Sequence, residues 1–325
     1  MGSSNSPESV KSLPNAIQQK TPKSVLDTIG IDPIVELTKF RKKNCARIFA
    51  KIEFTNPSGS VKDVMAAYCI SEAEKRGELK KGYTIVEATS GNTGVAVAMV
   101  AAAKSYRAVL VMPEGTSGEK KDMMRFFGAR LVLVPDRKGM AGVVGKAKQI
   151  AKRKSTWMLN QFENPDNPRS HMEFGREVLA QLGRVDAFVA SIGTGGTLIG
   201  VAKVLKKKNP KTKIIAVEPK AVPAFYNMFY GKSLPVKKGI AHKIEGIGEG
   251  FVPKILSDNI RFVDEVMLVS DNDAIRFMKL LAKKEGLCAG VSSGANVWAA
   301  AKIAKRFGEG KAVVTLLPDT GMRYL

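Results

Sequence analysis

Lys62 is singled out by its neighbours. The stretch Asn56-Pro57-Ser58-Gly59-Ser60-Val61-Lys62-Asp63 is a Pro/Gly turn that delivers the lysine to the start of a helix running through Ala66 and Ala67. The helix dipole disfavours a cation at that end. A lysine placed there and desolvated has a lowered pKa, which makes it a better amine nucleophile toward an aldehyde. Lysines are mostly surface residues, so the flanking turn, not the residue type, carries the argument.

Two further turns are suited to anions. Thr89-Ser90-Gly91-Asn92-Thr93-Gly94 follows a run ending at Ala88 and opens a helix of small residues, and Gly193-Thr194-Gly195-Gly196-Thr197 follows a run ending at Ser191. At such strand-to-helix junctions backbone N–H groups and the positive helix end act together. The first turn has the length for a carboxylate. In the second, small residues let the backbone wrap a phosphate closely, and two hydroxyls add donors. It is not a dinucleotide fingerprint, because Leu198 stands where the third glycine of G-x-G-x-x-G belongs; Gly231-Lys232-Ser233 is not a P-loop, because Tyr226 replaces its earlier glycine.

The elements that must position these turns follow an alternating rhythm. Strand-like runs over 83–88, 107–112, 185–191, 213–218 and 312–317 are separated by helical stretches, including 94–106, one after Gly196 and one from Ser293. That is the pattern of parallel βαβ units. It predicts an α/β fold of two open, twisted, mostly parallel sheets with flanking helices. The 325-residue length agrees with two cores sharing one cleft. The glycine-rich segment 231–253 breaks the rhythm and reads as a lid or binding loop, or else as a plain connection.

Composition narrows the classes. With 52 Lys and Arg against 30 Asp and Glu, the formal charge is +22, a field that attracts anions of every kind. The densest basic run, Lys206-Lys207-Lys208-Asn209-Pro210-Lys211-Thr212-Lys213, falls at a predicted helix end, where cations offset the dipole. No stacking aromatics interleave with it, so a solvated face is expected and not a specific nucleic-acid patch. Cys45, Cys69 and Cys288 have no CxxC spacing and read as reduced thiols, with no metal site expected. The longest apolar run, 95–103, is too short to span a bilayer. A cytoplasmic protein with no membrane partner is expected. Residues 1–23 read as a disordered tail; their start matches a loose myristoylation pattern and faintly a transit peptide.

Taken in order, the three turns resemble the cysteine synthase family of fold type II pyridoxal-phosphate enzymes, from Thr28-Ile29-Gly30 to Arg323-Tyr324-Leu325. The resemblance implies the tryptophan synthase β-like fold and pyridoxal 5′-phosphate as cofactor. It implies Lys62 as the Schiff-base lysine and catalytic base, and Asn92 as the partner of the cofactor's 3′-oxygen. Gly193, Thr194, Gly195, Gly196 and Thr197 match the phosphate loop. Ser292, in Gly290-Val291-Ser292-Ser293-Gly294, matches the partner of the ring nitrogen; Ser293 in that role, with Ser292 capping the next helix, stays open. Thr89, Ser90, Gly91, Asn92 and Thr93 are matched to the substrate carboxylate. Gln161 and Gly246, in Glu245-Gly246-Ile247-Gly248, are matched to substrate contacts. The division implied is a smaller domain over 56–165 and a larger phosphate-binding domain over 24–55 plus 166–325.

The expected reaction is β-replacement on a serine-derived amino acid, most directly O-acetylserine or O-phosphoserine with sulfide to give L-cysteine. Cystathionine β-synthase and cysteine desulfhydrase activities are alternatives, as is a non-catalytic sensor of sulfide or cysteine. A homodimer and docking of a serine acetyltransferase are implied by kinship alone. Ile31-Asp32-Pro33, Val64 and Glu249 depart from the family pattern; Glu249 matters most, because a carboxylate near the mouth alters which leaving group or nucleophile is welcomed.

Overall fold

The computed structural model describes residues 21–236 and 242–324. The expected tail up to residue 20, with its acylation pattern, and the middle of the 231–253 loop lie outside them.

The strands are β1 (Ile34–Glu36), β2 (Arg47–Ile52), β3 (Thr84–Ala88), β4 (Arg107–Pro113), β5 (Arg130–Val134), β6 (Thr156–Met158), β7 (Ala187–Ser191), β8 (Lys213–Pro219), β9 (Glu265–Val269) and β10 (Ala312–Leu317). The α-helices are α1 (Lys62–Lys75), α2 (Asn92–Ala103), α3 (Gly118–Phe126), α4 (Gly139–Ala151), α5 (Asp166–Ser170), α6 (Met172–Leu182), α7 (Gly196–Lys208), α8 (Ala224–Tyr230), α9 (Lys254–Ser257), α10 (Asp271–Glu285) and α11 (Val291–Phe307). The expected helix over 94–106 begins two residues earlier, at the Gly91 cap, and ends earlier, because Ser105 turns into the left-handed region at φ 59°.

Six strands join in the order β1-β2-β10-β7-β8-β9 and four in the order β5-β4-β3-β6. Among the strands of the described residues, only β1 runs antiparallel to its neighbour. The predicted pair of mostly parallel sheets is therefore present. Runs such as Ile214-Ile215-Ala216-Val217 are buried throughout, as strands covered on both faces must be. β10 lies between β2 and β7 in register with both, so segments far apart in sequence share one sheet. All strands of the smaller sheet fall within 84–158, and those of the larger within 34–52 and 187–317. On that basis we propose 56–165, and 24–55 plus 166–325, as the two domains.

Strand order reverses once in each sheet. The chain moves from β3 to β4 and β5 on one side, then places β6 on the other; it moves from β7 to β8 and β9, then places β10 on the other. Crevices outside the carboxyl ends of such strands are where open α/β sheets hold ligands. Both predicted anion turns follow a reversal strand. The helix after β3, α2, is buried from Thr93 to Ala101, as a helix apolar on every side must be.

The basic run is only partly a solvated face. Lys207, Lys208 and Lys211 are exposed, but Lys206 and Lys213 pair with Asp264 at 2.8 and 3.4 Å. Cys45 and Cys69 are buried, Cys288 is exposed, and all three are free thiols. Among the described residues there is no cluster of three potential metal ligands and no helix long and apolar enough to cross a membrane.

Candidate active site

The loop before α1 is pinned from two sides. Gly59 N–H donates to the Asn56 carbonyl at 2.7 Å, closing the turn, and Val61 N–H donates to the Pro318 carbonyl at 2.8 Å, tying it to the exit of β10. Asp63 accepts from Ser58 N–H at 2.6 Å and from the Ser58 hydroxyl. Burial pushes the Asp63 carboxyl up to about 6. Lys62 is thereby held at the first position of α1, half-buried. Desolvation lowers its pKa, while Glu249, Asp319 and Glu53 act in the opposite direction.

The cleft that Lys62 lines holds about 730 Å³, its open mouth included. The same walls contain every residue of 89–93, together with Gln161, Gly193, Thr194, Thr197, Gly246 and Ser292. Gly195 and Gly196 complete the second turn. The structure thus brings the sequence-predicted residues to one place.

The 193–197 turn is closely packed. Gly195 adopts φ +82°, which favours glycine. A Cβ on Gly196 would lie 1.8 Å from Asn167 Oδ1, and one on Gly193 would lie 2.6 Å from the Gly246 carbonyl oxygen. Thr194 Oγ1 accepts from Asn167 Nδ2 at 3.0 Å and Gly196 N–H at 3.3 Å. Thr197 Oγ1 lies 3.3 Å from His171 Nε2; burial pushes His171 down to about 3, so the ring is neutral.

The 89–94 turn is held differently. Thr89 Oγ1 accepts from Gly91 and Gly94 N–H at 3.1 and 3.2 Å, and Ser90 is exposed. Gln161 is a buried strut: its Nε2 donates to the Ala88 carbonyl at 2.8 Å and its Oε1 accepts from the Thr93 hydroxyl at 2.7 Å. Asn167 Nδ2 in turn donates to the Gln161 carbonyl at 2.8 Å, linking the two anion turns.

Helix α11 begins at Val291 with Gly290 as its cap, so neither Ser292 nor Ser293 caps it. Ser292 lines the cleft; Ser293 Oγ is buried without a partner. At the mouth, buried Lys120 pairs with half-exposed Glu245. Glu249 also lines the cleft, its carboxyl pushed up by burial and held back by Lys62.

Several members of this neighbourhood were not legible beforehand: Asn167, His171, Lys120, Asp319 and Arg323. The only signal available for Asp319 was its position just past a predicted strand end, where α/β sheets place ligands. The others carry no local signature.

A partly buried amine and two glycine-bearing strand-to-helix turns line one cleft at the reversal points of two mostly parallel sheets, which is the ligand-binding arrangement of open α/β proteins. Residues 25–319 match the family described as pyridoxal-phosphate dependent enzyme, and the chain belongs to that family. It is 44% identical over 310 residues to a cysteine synthase of Staphylococcus aureus, covering 94% of this chain and 96% of that one. Among solved structures, a cysteine synthase from Entamoeba histolytica has a TM-score of 0.87 and 38% identity, covering 96% of this chain and 91% of that one. An O-acetylserine-dependent cystathionine β-synthase from Helicobacter pylori has a TM-score of 0.86 and 37% identity, covering 94% and 98%.

Pyridoxal phosphate is therefore the cofactor, and the cleft suits it. The glycine cradle admits no side chain, Asn167 Oδ1 behind it is buried without a hydrogen bond, and an amine and a neutral hydroxyl line the same walls.

Proposed function

We propose that the protein is a cysteine synthase, replacing the β-substituent of O-acetylserine or O-phosphoserine with sulfide to form L-cysteine. The observation that carries this reading is the convergence of Lys62, the 89–93 turn, the 193–197 turn and Ser292 on one cleft. Kinship with cysteine synthases supports the same activity.

When bound, pyridoxal phosphate supplies an electron sink that acidifies the Cα–H bond of an attached amino acid and labilises its β-substituent. The chain's residues do the rest. Residues 193–197 hold the phosphate on their backbone N–H groups and on the Thr194 and Thr197 hydroxyls. Lys62 would hold the aldehyde group and would serve as the base for the substrate Cα proton; desolvation of its amine favours the neutral form that a base requires. Residues 89–93 hold the substrate carboxylate at the start of α2, which orients the Cα–H bond without an arginine. Ser292 offers the ring nitrogen a neutral hydroxyl. A hydroxyl there, in place of a carboxylate, would leave the ring nitrogen without a charged partner. Gln161 and Gly246 bound the substrate side.

Borohydride reduction followed by peptide mapping tests the assignment: a pyridoxyl adduct on the peptide containing Lys62 is expected, and an adduct elsewhere overturns it. Parallel turnover of O-acetylserine, O-phosphoserine, serine and cysteine, each with sulfide and with homocysteine, decides the donor. Cystathionine formation is the second reading, favoured by the carboxylates of Glu245 and Glu249 at the cleft and by the likeness to the Helicobacter pylori structure. We further propose a cytoplasmic homodimer that docks a serine acetyltransferase, as the family resemblance implies. A monomer in light scattering overturns the dimer.

A further inference from the structure

The segment after β10 packs against the loops that carry Lys62 and Asn92, and its side chains meet the Asn92 amide from both ends. Asn92 Nδ2 donates to Asp319 Oδ2 at 2.7 Å, and Asn92 Oδ1 accepts from Arg323 Nη1. A guanidinium only donates and a carboxylate accepts, so the amide can sit in one orientation only. Its NH2 group keeps a second hydrogen, and Asn92 lines the cleft. The Arg323 fork also donates through Nη2 to the Ser58 carbonyl, in the loop that delivers Lys62. One guanidinium, its side chain 4% exposed, thus joins the lysine loop to the asparagine turn. Behind it, Asp319 also accepts from Tyr324 Oη at 2.6 Å.

We infer that Arg323 is a positioning residue that, with Asp319, aims the Asn92 NH2 group at the phenolic oxygen of the cofactor and holds it at a set distance from the Lys62 loop. This rests on the reading that Asn92 faces that oxygen. A hydrogen bond donated there favours the deprotonated oxygen, and hence the long-wavelength absorption of the bound cofactor, over the protonated form.

The test is a pH titration of the visible absorption of pyridoxal-phosphate-loaded protein, carried out on wild type, Asn92→Ala, Arg323→Ala, Arg323→Lys and the double alanine variant. Loss of one such bond raises the pH of the spectral transition by about one unit, roughly ten-fold in the protonation equilibrium. Asn92→Ala and Arg323→Ala are each expected to show that rise, and the double variant no more than either, because the two act through one contact. Arg323→Lys keeps the charge but lacks the two-pronged fork, and is expected to resemble Arg323→Ala.

An unchanged transition in Asn92→Ala overturns the reading of Asn92 itself. A shift in Asn92→Ala with none in Arg323→Ala overturns the role of Arg323 and leaves Asn92 standing. A further shift when Arg323→Ala is added to Asn92→Ala shows a through-space charge effect, and a wild-type value for Arg323→Lys shows that charge alone suffices; both overturn the inference. If Arg323→Ala does not fold, Arg323→Lys with Asn92→Ala completes the cycle.

Discussion

The two anion turns occupy equivalent places, each after the strand at which its sheet reverses, yet they are made in opposite ways. The 193–197 turn is packed from behind: Asn167, Leu256 and the Gly246 carbonyl leave no room for a Cβ on its glycines. The 89–94 turn has space only at Gly91, where a Cβ would meet just the end of the Lys120 side chain, at 3.9 Å; a Cβ on Gly94, inside α2, would lie 2.6 Å from the Met124 side chain. Its shape comes from one hydroxyl, Thr89 Oγ1, and from the Gln161 strut. A group that stays bound through every turnover suits a rigid cradle, whose ordering cost is met at folding. A group that must enter and leave suits a turn held by a few replaceable hydrogen bonds.

Lys62 lines the same cleft as both turns, and its removal has the largest expected effect. Lys62→Ala lowers kcat by roughly 10²- to 10⁴-fold, the scale of a lost proton-transfer group, while the cradle still binds pyridoxal phosphate. A similar loss of cofactor in dialysis would show that the amine, not the cradle, does the holding.

The contrast between the turns is sharpened next. Gly196→Ala drives a methyl group onto the Asn167 amide and weakens cofactor binding by roughly 10- to 100-fold, as overpacking of about 1–3 kcal/mol implies. Thr89→Ala removes the acceptor of two N–H groups and raises KM for the amino-acid substrate by about ten-fold, with cofactor affinity held. Equal losses of cofactor in both variants would abolish the distinction.

The last expected effect is on stability and leaves the turns themselves in place. Glu87, behind the 89–94 turn, accepts from Asn160 N–H at 2.7 Å, and burial raises its carboxyl from 4.5 to about 8. Folded, it stays protonated where the unfolded chain has ionised, so stability falls as pH rises from 4.5 toward about 8 and levels off above. Glu87→Gln is expected to reduce that slope by about 1.4 kcal/mol per pH unit in denaturant titrations. Glu53, raised in the same way to about 8, keeps a residual slope.

Much of the positioning framework was legible beforehand. Strands at 84–88, 107–113, 213–219 and 312–317 lie within a residue or two of their predicted places, because buried parallel strands read as short β-branched runs between turns. Lys62 at the start of α1 and the left-handed Gly195 before α7 follow from Pro and Gly acting within a few residues. The capping alternative for Ser292 and Ser293 was not decidable locally, since the helix starts at the preceding valine. Pairing of two lysines of the basic run with Asp264 was equally invisible, because the partner lies some fifty positions away.

The sequence by itself determined which turns present an amine and which present backbone N–H groups, since propensity and periodicity act over a dozen residues at most. Only the tertiary structure decided that β3 and β7 are the strands of reversal, that their turns therefore share one cleft, and that Arg323 reaches Asn92. Those outcomes depend on which strands pair across the chain, and burial of apolar faces settles that for the molecule as a whole.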